Sequence, residues 1–219
     1  MTFNISEFIK KYSLLFTVFI TGGSVLVIEV LATRILSPYF GNTIFTVSSV
    51  ISIVLLALSI GYYIGGNLAD KNPSEKLFYL IILASGLSVF LKYFLNIYFL
   101  PEAGYGFSIV FGPIIFSFIL FFFPSLLMGT LSPFAIKLQE MRFPEAGIGG
   151  ISGKVFFYST VGSIFGSLST GFLLIPNFGV KNIILSVAIL YVSASPTSIP
   201  SAPMTLTKFK GSAVPLAIS

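Results

Sequence analysis

The chain has 219 residues, of which 55% are hydrophobic and only 9% are charged, and its formal net charge is +5. Its mean hydropathy is +1.00. A soluble globular domain has about a quarter of its residues charged, so this chain has too little polar surface to cover itself in water. The composition therefore predicts an integral membrane protein, with the lipid bilayer as its first partner.

The lack of Cys and His excludes several classes of chemistry. The sequence contains neither residue. It therefore has no thiolate nucleophile, disulfide or imidazole base, and it lacks the usual zinc and haem ligands. Its basic residues stand singly between apolar runs, which is typical of membrane orientation and not of nucleic-acid binding. We predict no catalytic residue, metal site, cofactor or nucleic-acid partner for this chain.

Six apolar stretches follow one another along the chain. Crossing ~30 Å of hydrocarbon takes roughly 20 helical residues, and five stretches meet this length while the sixth is short. The first is too long for the core of a signal peptide and has no convincing cleavage site. The sequence thus predicts an all-α polytopic membrane bundle of about six transmembrane helices within residues 1–193. The predicted helices cover about 13–36, 43–68, 77–100, 107–128, 155–175 and 182–193.

The basic residues predict how these helices are oriented. Cytoplasmic loops carry an excess of Lys and Arg. With the N-terminus inside, most basic residues fall on the cytoplasmic side, so both termini are predicted to be cytoplasmic and the chain to lie in the cell membrane. This holds if the sixth helix spans. The inside residues are Lys10, Lys11, Lys71, Lys76, Lys137, Arg142, Lys154, Lys208 and Lys210; Arg34, Lys92 and Lys181 lie outside or near the outer boundary.

Residues 194–219 change abruptly to Ser, Pro, Ala and Thr. Such a composition cannot bury an apolar core, and it predicts a disordered tail. The same change would also arise in a truncated or frame-shifted chain.

Glu29 interrupts the apolar run of the first predicted helix. An ionisable group in a span costs at least ~2.5 kcal/mol, so it normally faces a partner or a wet cavity. Arg34 is the nearest cation in sequence, but five residues turn about 140° around a helix, so the two are not ideally aligned. One interpretation is a structural carboxyl. The other is a polar site for a cationic ligand or a proton, framed by Glu29 and Arg34.

Small residues recur at helical spacing in the second and fifth predicted helices. Gly61 and Gly65 form a GxxxG pair, which lets a neighbouring backbone approach closely. Gly162, Gly166 and Gly171 are interspersed with hydroxyl residues, so one face of the fifth helix is small and mildly polar. We predict that these five glycines pack helices together. A substrate path lined by hydroxyl groups is the alternative for the fifth helix.

Two further features mark helix ends or distortions. Asp70 and Lys71 lie at the predicted cytoplasmic boundary of the second helix, where they indicate a packing or gating element. Pro124 and Pro133 flank Gly129, and a proline inside a membrane helix removes a backbone hydrogen bond. We therefore expect a kink or a helix break near Gly129.

Four stretches of the chain together carry a resemblance to a known family. They are EVLATRILSPYFGN (29–42), LALSIGYYIGGNLADKNP (56–73), PSLLMGTLSPFAIKL (124–138) and YSTVGSIFGSLSTGFLLIPNFG (158–179). In this order they resemble the membrane part of the membrane-bound spermidine-synthase-like proteins, in which a transporter-like part is fused to an aminopropyltransferase-like domain. The resemblance covers nearly all of residues 20–190. The run GNLADK (66–71) is also similar to a loop of major-facilitator transporters.

The chain departs from this family after the membrane part. Family members usually continue into a cytoplasmic Rossmann-like domain that binds an S-adenosylmethionine-type cofactor. The Gly-rich loop and acidic residues of that domain are not in this sequence. The resemblance therefore implies that this chain does not catalyse aminopropyl transfer alone, and that a separately encoded soluble aminopropyltransferase-like protein is its partner.

Three functions are compatible with these features. The first is a membrane module that anchors, regulates or supplies a polyamine-type aminopropyltransferase. The second is a small transporter of a cationic metabolite, with Glu29 as the binding carboxylate. The third is a structural membrane subunit that forms homo-oligomers through its Gly-rich helix faces. We favour the first because it accounts for the whole pattern of the chain.

Overall fold

A computed structural model describes residues 5–194, with side chains from residue 13 onward. Within this range the chain is all helical, and five helices are long and apolar enough to cross a membrane. The prediction of an all-α chain with several helices of spanning length is confirmed, whereas the six spans and the position of the termini stay predictions. The helices are α1 (Ile5–Phe40), α2 (Ile44–Lys71), α3 (Glu75–Gly106), α4 (Gly112–Arg142) and α5 (Ile148–Ser193).

Some sequence predictions concern residues that lie outside this description. The predicted tail falls there from residue 195 onward. The side chains of Lys10 and Lys11, and the whole of Lys208 and Lys210, also fall there, so the charge count at these positions stays a prediction.

The outer surfaces of α2 and α5 are strongly apolar. The Tyr63 side chain of α2 is 75% exposed and the Phe172 side chain of α5 is 76% exposed. A large apolar surface of this kind is unfavourable in water, whereas lipid tails are as apolar as the side chains themselves. The exposed faces are therefore suited to a bilayer as the surrounding solvent.

The helices are longer than the sequence predicted. α1 continues through Pro38 to Phe40, past the predicted end at 36, and α4 continues to Arg142, past the predicted end at 128. α5 begins at Ile148, before the predicted start at 155. The length of an apolar run indicates only the part of a helix that is suited to hydrocarbon. The helix itself continues into the flanking polar sequence until a cap or a turn ends it.

Three helices contain one widened turn just before a proline. Proline has no N–H, and its ring clashes with the carbonyl group four residues back, which lies at the centre of each wide turn. The predicted break near Gly129 is wrong, because residues 123–142 form one continuous α-helix and the distortion precedes Pro124. The π-helical turns are Leu95–Phe99, Phe118–Phe122 and Thr170–Leu174, followed by Pro101, Pro124 and Pro176.

Glycines bring α2 and α4 into backbone contact. A Cβ atom on Gly65 would lie 2.5 Å from the carbonyl oxygen of Thr130 and 2.6 Å from its Cα. A Cβ on Gly61 would clash in the same way with the carbonyl oxygen of Leu126. Close helix approach of this kind in membranes depends on small residues. We call this contact the α2–α4 seam.

A second seam joins α1 and α5. A Cβ on Gly162 would clash with the carbonyl oxygen of Phe19, and one on Gly166 with that of Gly23. Gly171 differs from these residues, because it is exposed and no atom lies within 4 Å of the place its Cβ would take. Of the five glycines that the sequence singled out, four therefore lie at helix contacts of the described chain.

α5 bends sharply at Gly179, which has φ 72° and ψ 160°, a conformation that favours glycine. The arm after the bend, residues 180–193, packs on α3, where a Cβ on Gly86 would lie 2.8 Å from the Tyr191 Cβ. The Tyr191 hydroxyl donates to the Thr21 carbonyl oxygen of α1 at 3.3 Å. At 1.5 Å per residue this last arm is about 21 Å long. That length is shorter than the ~30 Å of hydrocarbon, so the described part of the sixth predicted helix is too short to span a membrane alone.

The two ends of the bundle differ in composition. At one end, Gly112 lies on the ring of Phe40, and the rings of Tyr39 and Tyr105 are 4.9 Å apart. We call this the aromatic end. The other, called the charged end, gathers charged residues from the adjoining ends of α2, α3, α4 and α5. These residues are Asp70, Lys71, Glu75, Lys76, Lys137, Glu140, Arg142 and Lys154.

Candidate functional site

Ion pairs link three helices at the charged end. Lys137 Nζ of α4 lies 3.4 Å from Asp70 Oδ1 of α2 and 3.0 Å from Glu140 Oε2. Arg142 Nη2 lies 2.8 Å from Glu75 Oε1 at the start of α3. Apart from the exposed Asp70, the paired side chains are half-buried at the surface, and surface ion pairs contribute roughly 0–1 kcal/mol each. Their main effect is to hold charges in defined positions on the surface at this end.

Asp70 and Lys71 are adjacent in sequence, but their side chains have different surroundings in the structure. Asp70 pairs with Lys137 across the α2–α4 seam, and its side chain is 71% exposed. Lys71 is exposed in the last turn of α2. Sequence analysis treated Lys137 only as an orienting charge. It missed the pairing because the pairing depends on how α2 and α4 are rotated about their seam.

A small cavity of about 120 Å³ lies between α1, α4 and α5 near the charged end. The Gln139 side chain is 5% exposed, and its Oε1 atom has no hydrogen-bond partner among the described residues. Lys154 contributes a positive charge. A cavity of this size can hold a few water molecules or a small polar group. Its lining residues are Leu15, Gln139, Phe143, Ala146, Ile151 and Lys154.

The structure does not bring Glu29 and Arg34 into contact. Glu29 is half-buried and Arg34 is exposed, and neither forms an ion pair or a hydrogen bond with any residue from 13 to 194. Arg34 lies near the end of α1, where a long cationic side chain can reach the polar headgroup region. Glu29 lies deeper in the span, so its carboxyl group is the more costly of the two to leave unpaired.

Lys92 of α3 is a buried ionisable residue that sequence analysis did not single out. Its side chain is 1% exposed, and its Nζ has no hydrogen-bond partner in the described part of the chain. The Nζ atom lies 4.3 Å from the centre of the Phe121 ring of α4. A cation over an aromatic ring recovers about 0.5–2 kcal/mol, whereas a charged Lys in a span costs about 2.5–3.5 kcal/mol. The ring alone therefore does not offset burial of the charge.

Depth and rotation explain why Lys92 was missed. The sequence placed Lys92 outside or near the outer boundary because the third apolar run was expected to end at 100. α3 continues to Gly106, and Lys92 faces α4 instead of the headgroup region. A single Lys inside an apolar run was the signal that could have identified it, as the same kind of signal did for Glu29.

A second buried donor lies on the same side of α4 as Phe121. Ser117 is 0% exposed, and its hydroxyl has no partner within residues 13–194. It precedes Phe121 by about one helical turn, so the two side chains share a face. Other buried hydroxyls donate to their own helix, as Ser85 does to the Ile81 carbonyl oxygen at 2.8 Å. Ser117 and Lys92 are thus two buried donors without a hydrogen-bond partner in the described part of the chain.

The hydroxyl groups of α5 take part in packing. Ser163 Oγ donates to the Gly22 carbonyl oxygen of α1 at 2.9 Å. Thr170 Oγ1 donates to the Gly166 carbonyl oxygen at 2.7 Å. Donors used in this way are not free for a substrate, so the arrangement favours a packing face over a substrate path at these two residues.

Comparison of the chain with family models, curated proteins and solved structures found no match. Among the residues that the structure describes, no group of three or more acidic residues is placed to hold a metal ion. The functional argument therefore depends on the seams, the charged end and the ionisable residues inside the span.

Proposed function

We propose that this chain is the membrane module of a protein similar to the membrane-bound spermidine-synthase-like family. It has six spans in the cell membrane with both termini in the cytoplasm. Its charged end holds and regulates a separately encoded aminopropyltransferase-like protein, which carries out the chemistry.

The α2–α4 seam is the observation that carries this proposal. Two of the four stretches with the family resemblance, 56–73 and 124–138, lie on these helices. They meet inside the bundle, where Gly65 lies against Thr130, and again at the charged end, where Asp70 pairs with Lys137. Residues far apart in sequence thus form one continuous contact, which is the behaviour expected if the resemblance reflects a shared membrane architecture.

The distribution of charge supports a cytoplasmic position for the charged end. Loops rich in Lys and Arg remain in the cytoplasm during insertion. The described basic residues of the charged end are Lys71, Lys76, Lys137, Arg142 and Lys154, whereas Arg34 and Lys181 lie toward the aromatic end.

Co-purification from native membranes tests the proposal. The tagged full chain is purified in mild detergent, its protein partners are identified by mass spectrometry, and the eluate is assayed for aminopropyl transfer to a polyamine acceptor. We expect an aminopropyltransferase-like protein and the activity together. The double variant Asp70→Asn/Lys137→Gln, at normal membrane levels, should lose both. A folded wild-type chain that carries neither the protein nor the activity would contradict the proposal.

Glu29 favours a second candidate function, transport of a small cationic metabolite. Its carboxyl group is half-buried in α1 and unpaired among the described residues, and an intramembrane carboxylate of this kind suits a cation or a proton. In this proposal Glu29 and Arg34 frame the polar site. Vesicles with the wild-type chain should take up a labelled polyamine and those with Glu29→Gln should not, with Glu102→Gln as the control. Equal uptake by wild type and Glu29→Gln would exclude this role.

The glycine contacts bear on the third function, a subunit that oligomerises through Gly-rich faces. Gly61 and Gly65 are covered by α4, and Gly162 and Gly166 are covered by α1. These four residues are therefore used within one chain and are not available to a second copy. A structural subunit would have to associate through other surfaces.

A further inference from the structure

An apolar groove adjoins the cavity that Gln139 and Lys154 line at the charged end. The groove has a volume of about 280 Å³, and its described lining is Leu15, Phe16, Phe19 and Tyr158 of α1 and α5. The Phe16 side chain is 63% exposed, so the groove is open to the surroundings of the bundle. Leu15 lines both the groove and the cavity, so the two spaces meet at this side chain.

The cavity and the groove follow one another along α1 and α5. On α5, Lys154 of the cavity lies four residues before Tyr158 of the groove, and on α1, Leu15 lies four residues before Phe19. Residues four apart on a helix are neighbours on one face. The two helices run in the same direction along their glycine seam. A path therefore leads from a polar opening at the charged end to an apolar groove one turn deeper in the span.

The cavity offers a positive charge and an unused hydrogen-bonding group. Lys154 is the only charged residue in its described lining. Gln139 is 5% exposed, and its Oε1 atom has no hydrogen-bond partner among the described residues. Glu145 is exposed in the loop nearby and does not line the cavity. Because buried polar groups normally have partners, these features suit a ligand that carries both a negative charge and a hydrogen-bond donor.

We propose that the cavity and the groove together bind one anionic phospholipid with a hydroxyl-bearing headgroup, such as phosphatidylglycerol. The phosphate pairs with Lys154, a headgroup hydroxyl donates to the Gln139 amide, and one acyl chain lies in the groove. A phosphate on a Lys ammonium forms a strong, charge-assisted hydrogen bond. The bound lipid contacts α1, α4 and α5 together. This site does not depend on the proposed aminopropyltransferase-like partner.

The headgroup selects the lipid, because the groove alone does not. Lipid tails are as apolar as the side chains of the groove, so every phospholipid of the bilayer gains similar packing there. Basic residues near the membrane surface favour anionic lipids, whereas the choline group of phosphatidylcholine would bring a second cation toward Lys154. A soluble phosphate compound would leave the groove unused.

Photo-labelling in vesicles tests this site. The full chain is reconstituted in phosphatidylcholine with a small amount of phosphatidylglycerol that carries a photoreactive group in one acyl chain, and the labelled residues are identified by mass spectrometry. We expect label on residues 15–19 of α1 and 154–158 of α5. Phosphatidylcholine with the same photoreactive chain should label these residues several-fold less.

Three variants separate a built site from general surface charge. Lys154→Gln should lower the labelling by phosphatidylglycerol roughly fivefold, as expected for one basic residue at a membrane surface. Gln139→Met keeps a side chain of similar length and should lower it about threefold, the loss of one hydrogen bond. The control Lys76→Gln changes an exposed lysine of the charged end that does not line the cavity, and it should label as wild type.

Equal labelling of these residues by phosphatidylcholine would overturn the proposal. So would labelling that is unchanged in a folded Lys154→Gln chain, or a loss that is equal in Lys154→Gln and Lys76→Gln, since surface charge alone would then attract the lipid. Complete loss of labelling in excess soluble glycerol phosphate would also overturn it, because the site would then take a phosphate compound without lipid tails.

Discussion

The middle of the bundle and its charged end hold their helices together in different ways. In the middle, backbones meet directly at glycine, and the ionisable residues Glu29 and Lys92 have no hydrogen-bond or ion-pair partner among the described residues. At the charged end, the exposed side chain of Asp70 pairs with the half-buried side chain of Lys137. Packing against backbone cannot be rearranged cheaply, whereas exposed ion pairs contribute little stability. The middle of the bundle therefore determines the fold, whereas the side chains of the charged end can change at little cost in stability.

The largest expected effect comes from adding one methyl group to the α2–α4 seam. In Gly65→Ala the new Cβ would meet the backbone of Thr130, so the helices must move apart. We expect a loss of about 1–3 kcal/mol in the free energy of unfolding, which is the usual cost of overpacking. Unfolding in a mixed-micelle denaturant titration measures it.

Gly66→Ala is the matched control for this prediction. Nothing lies within 4 Å of its Cβ position, although it is the next residue on the same helix. It should be neutral or stabilise by up to about 1 kcal/mol, the difference between Gly and Ala in a helix. If both variants lose the same stability, the seam does not depend on close backbone contact.

A smaller effect is expected when the buried charge of α3 is removed. Lys92→Met replaces an amine without a hydrogen-bond partner by an apolar side chain of similar length and should raise the free energy of unfolding by about 1–2 kcal/mol. The same titration measures it, with Lys76→Met as the exposed control. A loss of stability in Lys92→Met alone would show that Lys92 has an internal partner that stabilises the bundle.

The smallest effect on stability is expected at the charged end. Asp70→Asn removes one charge from a side chain that is 71% exposed, so the free energy of unfolding should change by less than about 1 kcal/mol. If the proposed aminopropyltransferase-like partner binds at the charged end, the amount that co-purifies should nevertheless fall several-fold. Glu102→Gln, an exposed change at the aromatic end, should leave both quantities as in wild type. A large loss of stability in Asp70→Asn would mean that the charged end also determines the fold.

The sequence predicted the features that depend on local composition. Apolar length predicted the helices, and the spacing of Gly61, Gly65, Gly162 and Gly166 matched positions at which helices touch. Gly171 continues the same pattern but lies on an exposed surface. The pattern could not distinguish it, because periodicity identifies a helix face and not the length over which a neighbour covers that face.

Features that depend on tertiary arrangement were not predictable in the same way. The bend at Gly179 lies in the gap that the sequence predicted between 175 and 182, but the direction of the bend and its positive φ leave no distinctive trace in hydropathy. The helix is distorted not near Gly129 but in a wide turn before Pro124. A proline disrupts the backbone hydrogen bonds of the turn that precedes it. The burial of Lys92 and the pairing of Asp70 with Lys137 both depend on helix rotation, which the sequence does not specify.

Site-specific crosslinking in native membranes tests the central claim most directly. The chain has no cysteine, so single cysteines at Lys71 on the charged end and at Tyr105 on the aromatic end can each carry a photo-crosslinker without other changes. The proposed function predicts that Lys71→Cys captures an aminopropyltransferase-like protein and that Tyr105→Cys does not. Capture from neither position in a folded chain, or equal capture from both, would contradict the claim that the charged end is the cytoplasmic binding surface for that partner.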